Sequence, residues 1–409
     1  MYRSKITFFV FSFLFFLVFP FVVLGQNEQT VIVGLNVPLT GSYSSQGEDQ
    51  LKAYTLAIDI LNKKGGILGR RIVYAVRDTQ TDPNVAQANA YELIEMGARL
   101  ITGGSSSAVA IAQAEVCQEK KVVFLAGLSH SNATTGSGGH RYSFRWYNNG
   151  FQTARAMATL LVDRFGKTAR YGFLYADYTW GKTVQQSLAK VITQNGGQIV
   201  LNLPTKLGEK SYISALLKVK KVRPDVLVMI HFGNDMINSL KQATMLKMRD
   251  TMAIVVPLME LHMAHPLGPE IMQGVITSMC WYHSLADQFP GSRLFVDQFE
   301  KRYHTKPGNS AATAWVNMFQ YADAVERAGS FVGSDVVEKL EGHLFTLLGA
   351  EEYWRSWDHQ GIHPTYIAVG KSPAESRDEW DLFTIISEHD GISLARNHGE
   401  NPVELEPLD

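Results

Sequence analysis

The stretch Val31-Ile32-Val33-Gly34-Leu35-Asn36-Val37-Pro38-Leu39-Thr40-Gly41 carries the first evidence for the fold. Its β-branched start is typical of a buried strand, and Pro38 and Gly41 supply turn chemistry. Apolar residues then recur at intervals of three, four and three positions, the period of an amphipathic helix: Leu51, Tyr54, Ile58 and Leu61. Lys63-Lys64-Gly65-Gly66 ends this helix with cations in its last turn and glycine after its end.

The same alternation of strand and helix continues through the N-terminal third. Further strands are predicted at 72–76, 99–102 and 122–125, with helices at about 85–96 and after the serines at 105–107. Neighbouring parallel strands need a crossover of a dozen or more residues, and these helices supply it. Four strands with three crossover helices predict a parallel, doubly wound sheet.

A second run of similar size begins near residue 151. Its apolar patterns predict four helices, around 151–165, 184–191, 213–220 and 236–246. They alternate with four strands, at 171–175, 198–203, 225–230 and 252–256. Two such runs predict two similar lobes. A later helix at 311–328 and strands near 275–281 and 366–369 are expected to complete both sheets, whereas the tail after Lys371 has no clear period.

The first 25 residues have the three-part order of a secretory signal peptide. A short basic start precedes an almost wholly apolar run from Ile6 to Leu24, and Gly25 then leads into a polar segment. A permanent membrane anchor is the alternative, because the run is nearly long enough to span a bilayer. Pro20 and the Gly25-Gln26 junction favour cleavage, so we expect a soluble periplasmic protein.

The composition excludes several classes of protein. Of the 409 residues, 45% are hydrophobic and 11% aromatic, which excludes disorder as the main state. Lys and Arg total 38 against 39 Asp and Glu, so no broad electrostatic footprint for nucleic acid is expected. Cys117 and Cys280 cannot form a four-thiolate zinc site, although one bridge between them stays open.

The familiar phosphate-binding and hydrolase motifs are absent from the sequence, including Gly-x-x-x-x-Gly-Lys, Gly-x-Gly-x-x-Gly and Gly-x-Ser-x-Gly. The stretch Gly103-Gly104-Ser105-Ser106-Ser107 follows a strand and opens a helix. Its serines could cap the helix, bind a ligand or supply a nucleophile. Ligand binding has a physical basis, because free N–H groups and the dipole at a helix N-terminus favour an anion.

Other polar and aromatic residues also follow strands. Gly127-Leu128-Ser129 comes after the next strand along the chain, and strand ends line the ligand crevice in open α/β sheets. Trp180 and Phe232 also follow strands and either form a cleft wall or pack in the core. The cluster Glu260, His262 and His265 lies among prolines at 257, 266 and 269, which predict a loop. We therefore expect no metal site there.

Several segments resemble, in their order and spacing, the leucine/isoleucine/valine-binding proteins, which are extracytoplasmic solute-binding proteins of ABC importers. The segments are Pro38-Leu39-Thr40-Gly41 with Gly47, Asn62-Lys63-Lys64-Gly65-Gly66-Ile67-Leu68-Gly69, Arg77-Asp78-Thr79-Gln80-Thr81-Asp82-Pro83, Tyr178-Thr179-Trp180-Gly181 and Arg223-Pro224-Asp225. The resemblance extends over about residues 30–370. It implies the class I periplasmic binding protein fold, an α/β architecture of two doubly wound parallel-sheet lobes joined by a three-strand hinge.

In that fold the ligand binds between the lobes. The resemblance places the N-terminal lobe at 27–147 with 283–357, and the C-terminal lobe, including the tail, at 148–282 with 358–409. It also implies roles for individual residues: Ser105 and Ser106 in the loop that holds a carboxylate, Ser129 contacting carboxylate and ammonium, Gly127 supplying a backbone carbonyl, Gln46 and Trp180 as walls, Phe232 where the family often has tyrosine, and Glu260 near the acidic ammonium partner.

These features predict a non-enzymatic binding protein that captures an amino acid, branched-chain or aromatic, or a similar small carboxylate for an ABC permease. Glu260 favours an amino acid, because a buried ammonium needs an anion or several acceptors, whereas Phe232 favours an apolar or aromatic acid. We expect a monomer without metal or cofactor. The alternatives are a receptor of the same fold that senses an amide or aromatic acid and signals, and a hydrolase using Ser106.

The apolar run before Gly25 generates the first testable prediction. The exported protein should begin near Gln26 and be released with the soluble periplasmic fraction. Edman sequencing or intact mass of the mature protein checks this. A membrane-embedded mature form that retains Met1 would contradict it.

Overall fold

The computed structural model describes residues 29–408. The signal peptide predicted for residues 1–25, and the expected mature N-terminus at Gln26, lie outside the described residues. Within residues 29–408, no helix has both the length and the apolar character that crossing a bilayer requires.

The described chain contains fifteen strands: β1 Thr30–Val37, β2 Arg71–Asp78, β3 Ala98–Gly103, β4 Val123–Ala126, β5 Ser143–Arg145, β6 Arg170–Ala176, β7 Gln198–Thr205, β8 Val226–Ile230, β9 Ala253–Val256, β10 Ile276–Met279, β11 Leu344–Phe345, β12 Glu352–Trp354, β13 Gly361–Ile362, β14 Thr365–Gly370 and β15 Phe383–His389. The predicted strands are all present, with ends that differ by one or two residues.

Thirteen α-helices are described: α1 Ser44–Lys63, α2 Pro83–Glu95, α3 Ser107–Lys120, α4 Gly150–Phe165, α5 Thr179–Gln194, α6 Ile213–Val222, α7 Asn234–Met245, α8 Leu261–Ala264, α9 Gly268–Met272, α10 Pro290–Tyr303, α11 Asn309–Ala328, α12 Gly333–Leu340 and α13 Gly391–Leu394. Short 3₁₀ helices lie at Asn132–Thr135, Met248–Asp250 and His283–Asp287. The prediction of a plain loop around the prolines at 257, 266 and 269 was wrong, because α8 and α9 form there. Pro269 lies within the first two residues of α9, where a missing N–H costs nothing.

The first sheet is parallel throughout, in the order β2-β1-β3-β4-β5. Its helices begin where the sequence provides caps. Helix α2 starts at Pro83 because the Asp82 side chain accepts hydrogen bonds from the N–H groups of Asn84 and Val85. Helix α11, from much later in the chain, packs against α1 and β3. This late helix therefore belongs to the first lobe.

The second sheet has the order β15-β14-β10-β9-β8-β6-β7. Strands β6 to β10 pair in parallel, as predicted, but β14 and β15 pair antiparallel at one edge. The unplaced tail after Lys371 supplies β15, whose residues after the buried Phe383 alternate between exposed and half-buried positions. The C-terminal region thus adds strands only to the second sheet. To the first lobe it adds helices, and a small sheet, β11-β12-β13, lies beside them.

The chain passes between the two lobes three times, at 146–149, 280–282 and 363–364. These crossings correspond to the expected three-strand hinge. The lobe boundaries proposed at 147/148, 282/283 and 357/358 stay a prediction. Cys117 and Cys280 are both buried free thiols, so the bridge left open by the sequence is not formed.

Arg145, at the start of the first crossing, is completely buried. Its guanidinium donates to the carbonyls of Ser129 and Ser131, to Thr135 Oγ1 at 2.8 Å and to Gln360 Oε1. One side chain therefore ties the loop after β4 to the segment before β13. Both lie close to the hinge.

The C-terminal segment 390–408 contacts both lobes. Glu400 pairs with Arg155 Nη2 of α4 at 2.7 Å. On the other side, Glu406 Oε1 lies 2.7 Å from His140 Nδ1, and Asn401 Nδ2 donates to the Thr135 carbonyl at 2.7 Å. The segment therefore spans the hinge.

Replacing Arg145 with methionine should destabilise the protein by at least about 3 kcal/mol, because several buried acceptors lose their donor together. Arg145→Lys should recover little, since one ammonium cannot reproduce the planar fork. Urea denaturation measures the loss. Arg293→Met is the control, because Arg293 is an exposed arginine whose ion pair with Asp287 is also exposed. Equal stability of the Arg145 and Arg293 variants would contradict the role given to Arg145.

Candidate ligand-binding site

The carboxyl ends of strands from both sheets face one another. Ser105 follows β3 and Leu128 follows β4 in the first sheet. In the second sheet Trp180 follows β6, Phe232 follows β8 and Leu258 follows β9. Strand ends of this kind form the usual ligand crevice of open α/β sheets.

A small cavity lies where these ends meet. Its lining combines hydroxyl groups, one histidine and large apolar side chains: Ser105, Ser107, Leu128, His130, Tyr178, Trp180, Phe232 and Leu258. Three of the residues singled out from the sequence are therefore brought together here, namely Ser105, Trp180 and Phe232. No acidic or cationic side chain belongs to this lining.

The serine loop takes the predicted place between β3 and α3. Ser106 is the N-cap residue of α3, but its side chain makes no capping hydrogen bond. The Ser106 hydroxyl therefore does not cap the helix. Ser106 is not among the lining residues, whereas its neighbours Ser105 and Ser107 are, since alternate residues of an extended segment point opposite ways.

The same alternation applies to the loop after β4, where the residues on either side of the predicted Ser129 line the cavity. Leu128 and His130 line the cavity, and the Ser129 hydroxyl instead lies 2.6 Å from Thr134 Oγ1 and 3.1 Å from Ser107 Oγ. Gly127 has a packing role, because a Cβ there would lie 2.7 Å from the carbonyl carbon of Gly103. Sequence reasoning missed Leu128 and His130, although they flank the residue that it chose.

His130 is completely buried and neutral. Burial, and secondarily the Arg145 charge, lower its pKa to about 3. Trp180 Nε1, which can only donate, lies 2.9 Å from His130 Nδ1, so Nδ1 accepts and Nε2 carries the proton toward Thr153 Oγ1 at 2.8 Å. With both ring nitrogens used, His130 is not free to act as the base for a serine nucleophile.

The two lobes also touch through aromatic residues. The hydroxyls of Tyr43 and Tyr178 lie 2.9 Å apart, and the Tyr43 ring meets Phe232 edge-on at 5.1 Å. Nearby, the N–H of Asn234 donates to the Ser42 carbonyl at 3.1 Å. Tyr43 and Ser42 precede α1 of the first lobe, whereas the other three residues belong to the second. The lobes are therefore in contact at the cavity.

Glu260 is buried outside the cavity lining. Its carboxyl group accepts hydrogen bonds from Tyr147 Oη at 3.0 Å, Ser310 N at 3.1 Å and Ser310 Oγ at 3.3 Å. Burial, followed by the charge of Asp49, raises its pKa to about 8. The Glu260 carboxyl thus already has three donors, two of them from Ser310 at the N-terminus of α11.

Asp49 of α1 reaches the same helix end from the first lobe. Its Oδ2 accepts from the N–H groups of Gly308 and Ala311, and its Oδ1 lies 2.8 Å from His262 Nε2. Although burial lowers the pKa of His262, the adjacent Asp49 outweighs it and the net pKa is raised. His265 instead stacks on Trp380, with ring centroids 3.8 Å apart. The sequence cluster of Glu260, His262 and His265 is thus divided among different partners.

Gln46 lies in the first turns of α1 and is completely buried. Within residues 29–408, neither its Nε2 nor its Oε1 has a hydrogen-bond partner. A buried amide without partners costs about 1–3 kcal/mol for each group. This is the arrangement expected of a side chain whose partner is a ligand, so Gln46 stays a candidate.

The geometry agrees with a comparison against known families. Residues 30–375 match the family model described as "Periplasmic binding protein". The chain belongs to this family. The expected fold, an α/β class I binding protein with two lobes, is confirmed by solved structures of other members.

This binding protein is similar to proteins from Rhizobium, Burkholderia and Pseudomonas. It is 26% identical over 203 residues to the Leu/Ile/Val-binding protein BraC3 of Rhizobium johnstonii, a match covering 50% of this chain and 54% of that relative. A periplasmic binding protein from Burkholderia mallei superposes with a TM-score of 0.85 and 25% identity, covering 91% of this chain and 98% of that one. An amino acid ABC transporter substrate-binding protein from Pseudomonas fluorescens superposes with a TM-score of 0.81 and 25% identity. This match covers 88% of this chain and 95% of that one.

Glu260 and His262 generate a prediction about pH. Between the ordinary carboxyl pKa, about 4.3, and about 8, the folded binding protein keeps a proton on Glu260 that the unfolded chain has lost. Stability therefore falls as pH rises through this window, by at most about 1.4 kcal/mol per pH unit. His262 acts in the same direction, because its stabilisation is complete below about pH 6.5 and is lost above its raised pKa.

Thermal unfolding between pH 5 and 8.5 should show this fall in wild type and a shallower one in Glu260→Gln. Glu115→Gln is the control, because Glu115 is exposed. Parallel profiles for wild type and Glu260→Gln would rule out Glu260 as the titrating group.

Proposed function

We propose that this protein captures a small carboxylate with an apolar side group between its lobes and delivers it to an ABC permease. The observation that carries the proposal is the cavity between the two sets of strand ends, polar at its serine loop and apolar elsewhere. The names of the similar proteins, a Leu/Ile/Val-binding protein and an amino acid transporter component, support the same class of solute.

The serine loop is the proposed carboxylate end. Ser105 and Ser107 lie at the N-terminus of α3, where unpaired N–H groups and the helix dipole attract an anion. The serine hydroxyls add hydrogen-bond donors, so the carboxylate does not require an arginine. The neutral His130 and the absence of acidic lining residues avoid repulsion of the anion.

The aromatic side is the proposed apolar end. Trp180 and Phe232 are each 2% exposed, and Leu258 completes this wall. Burying an apolar side group there is favoured by about 25 cal/mol for each Å² removed from water. Because Trp180 and Phe232 come from the second lobe and the serines from the first, a ligand held at both ends favours the closed form. Such differential contact is what drives hinge closure.

Within this class, the lining favours an acid without an amino group. The sequence favoured an amino acid because Glu260 was placed against the ammonium. Glu260 instead accepts hydrogen bonds from Tyr147 and Ser310 and lies outside the lining. A buried ammonium without an anionic partner is costly, so removing it improves the fit.

Calorimetric titration of 4-methylpentanoate and 3-phenylpropanoate, beside L-leucine and L-phenylalanine, tests the proposal. We expect the acids to bind at least about tenfold more tightly, which corresponds to about 1.4 kcal/mol. Glu260→Gln should leave that preference nearly unchanged. Tighter binding of the amino acids by wild type, abolished in Glu260→Gln, would assign Glu260 to the ammonium. Failure of all four to bind would reject the carboxylate class.

A further inference from the structure

We infer that Gln50 is a positioning residue for the ligand: it holds Ser105 so that the Ser105 hydroxyl donates its hydrogen to a ligand carboxylate. This inference rests on the proposed function. Gln50 lies on α1 and is completely buried. It is not among the cavity-lining residues, so any effect on the ligand must pass through a neighbour.

The orientation of the Gln50 amide is fixed by chemistry. Its Nε2 lies 3.1 Å from the carbonyl oxygen of Gly104 and 2.7 Å from Ser105 Oγ. A carbonyl oxygen can only accept a hydrogen bond, so the amide atom facing Gly104 must be the NH₂ group. The reverse orientation would bring two carbonyl oxygens together.

The direction of the second hydrogen bond follows from the first. With NH₂ between both partners, Gln50 donates one hydrogen to Gly104 and the other to Ser105 Oγ. Ser105 Oγ therefore accepts from Gln50. A hydroxyl carries one hydrogen of its own, which is then available for an acceptor elsewhere. Because Ser105 lines the cavity, that acceptor is a group of the ligand.

Gly127 gives Gln50 the space for this arrangement. A Cβ at residue 127 would lie 2.3 Å from Gln50 Oε1, closer than any non-bonded contact allows. Gln50 Oε1 has no hydrogen-bond partner within the described residues, so this end of the amide does not set its orientation. The contact with Gly104 and Ser105 does.

The consequence is a preference for the chemistry of the ligand. With its hydrogen free and one of its two acceptor positions occupied by Gln50, the Ser105 hydroxyl suits a carboxylate oxygen better than a group that donates. A hydrogen bond to a charged acceptor typically changes affinity by about ten- to a hundred-fold. Gln50 should therefore affect acid binding through Ser105 and have little effect once Ser105 is gone.

A double-mutant cycle with 3-phenylpropanoate and 4-methylpentanoate as probes tests the inference. Gln50→Met keeps the length of the side chain and removes both donors, and it should weaken binding of the acid about tenfold. Ser105→Ala should weaken it at least as much. The double variant should bind the acid no more weakly than Ser105→Ala does, because without the Ser105 hydroxyl Gln50 has nothing left to position.

Gln50→Glu adds a pH profile. Its ionised carboxylate cannot donate to Ser105 and would accept the Ser105 hydrogen instead, so acid binding should be weaker than in Gln50→Met at pH 8. Relative to wild type at the same pH, binding should partly recover toward pH 5, because burial raises the pKa of the introduced carboxyl and its protonated form can donate. Gln320→Met is the matched control: Gln320 is a buried glutamine bonded to Trp354, and its loss should lower stability without changing affinity.

Each outcome is decisive. Multiplicative losses in the cycle, or an unchanged affinity in Gln50→Met, overturn the inference while leaving the proposed function intact. If wild type binds neither these acids nor the matching amino acids, both the proposed function and the inference are overturned. A Gln50 effect that disappears in Ser105→Ala establishes the positioning role.

Discussion

Two buried carboxyl groups meet at the N-terminus of α11, those of Asp49 from α1 and Glu260 from the segment after β9. Burying such groups is costly unless donors replace the lost water. The backbone N–H groups of Gly308, Ser310 and Ala311 supply these donors. Asp49 and α11 belong to one lobe and Glu260 to the other, so this arrangement requires the lobes to be in contact. Contact between the lobes is therefore linked to the protonation of Glu260.

The need of buried charges for partners also explains why no acidic or cationic side chain lines the cavity. Charged groups near the hinge are satisfied by one another and by helix α11, which leaves hydroxyls, a neutral imidazole and apolar walls around the cavity. In such surroundings a ligand anion meets helix dipole and hydroxyl donors without competition from nearby carboxylates. The specificity of the cavity depends on how those donors point.

Much of this architecture could be predicted from the sequence. Alternating strand and helix periods predict both sheets, because period two and period 3.6 are imposed by local geometry. The antiparallel edge strands could not be predicted, since β15 reads as an irregular tail and acquires its pairing only from β14. At the site, both predicted loops reach the cavity, but Ser105, Ser107, Leu128 and His130 line it, whereas Ser106 and Ser129 do not. Ser106 and Ser129 have the expected chemistry, yet the direction of an extended side chain depends on backbone torsions that residue identity alone does not determine. Gln50 reads as an ordinary helix residue, and only tertiary contact with Ser105 gives it a role.

The segment 390–408 contacts the first lobe through Asn401 and Glu406 and the second lobe through Glu400. A movement that separates the lobes along this segment must break at least one of these contacts. Rotation about an axis close to the segment can leave them in place. The segment therefore restricts the directions in which the hinge can bend.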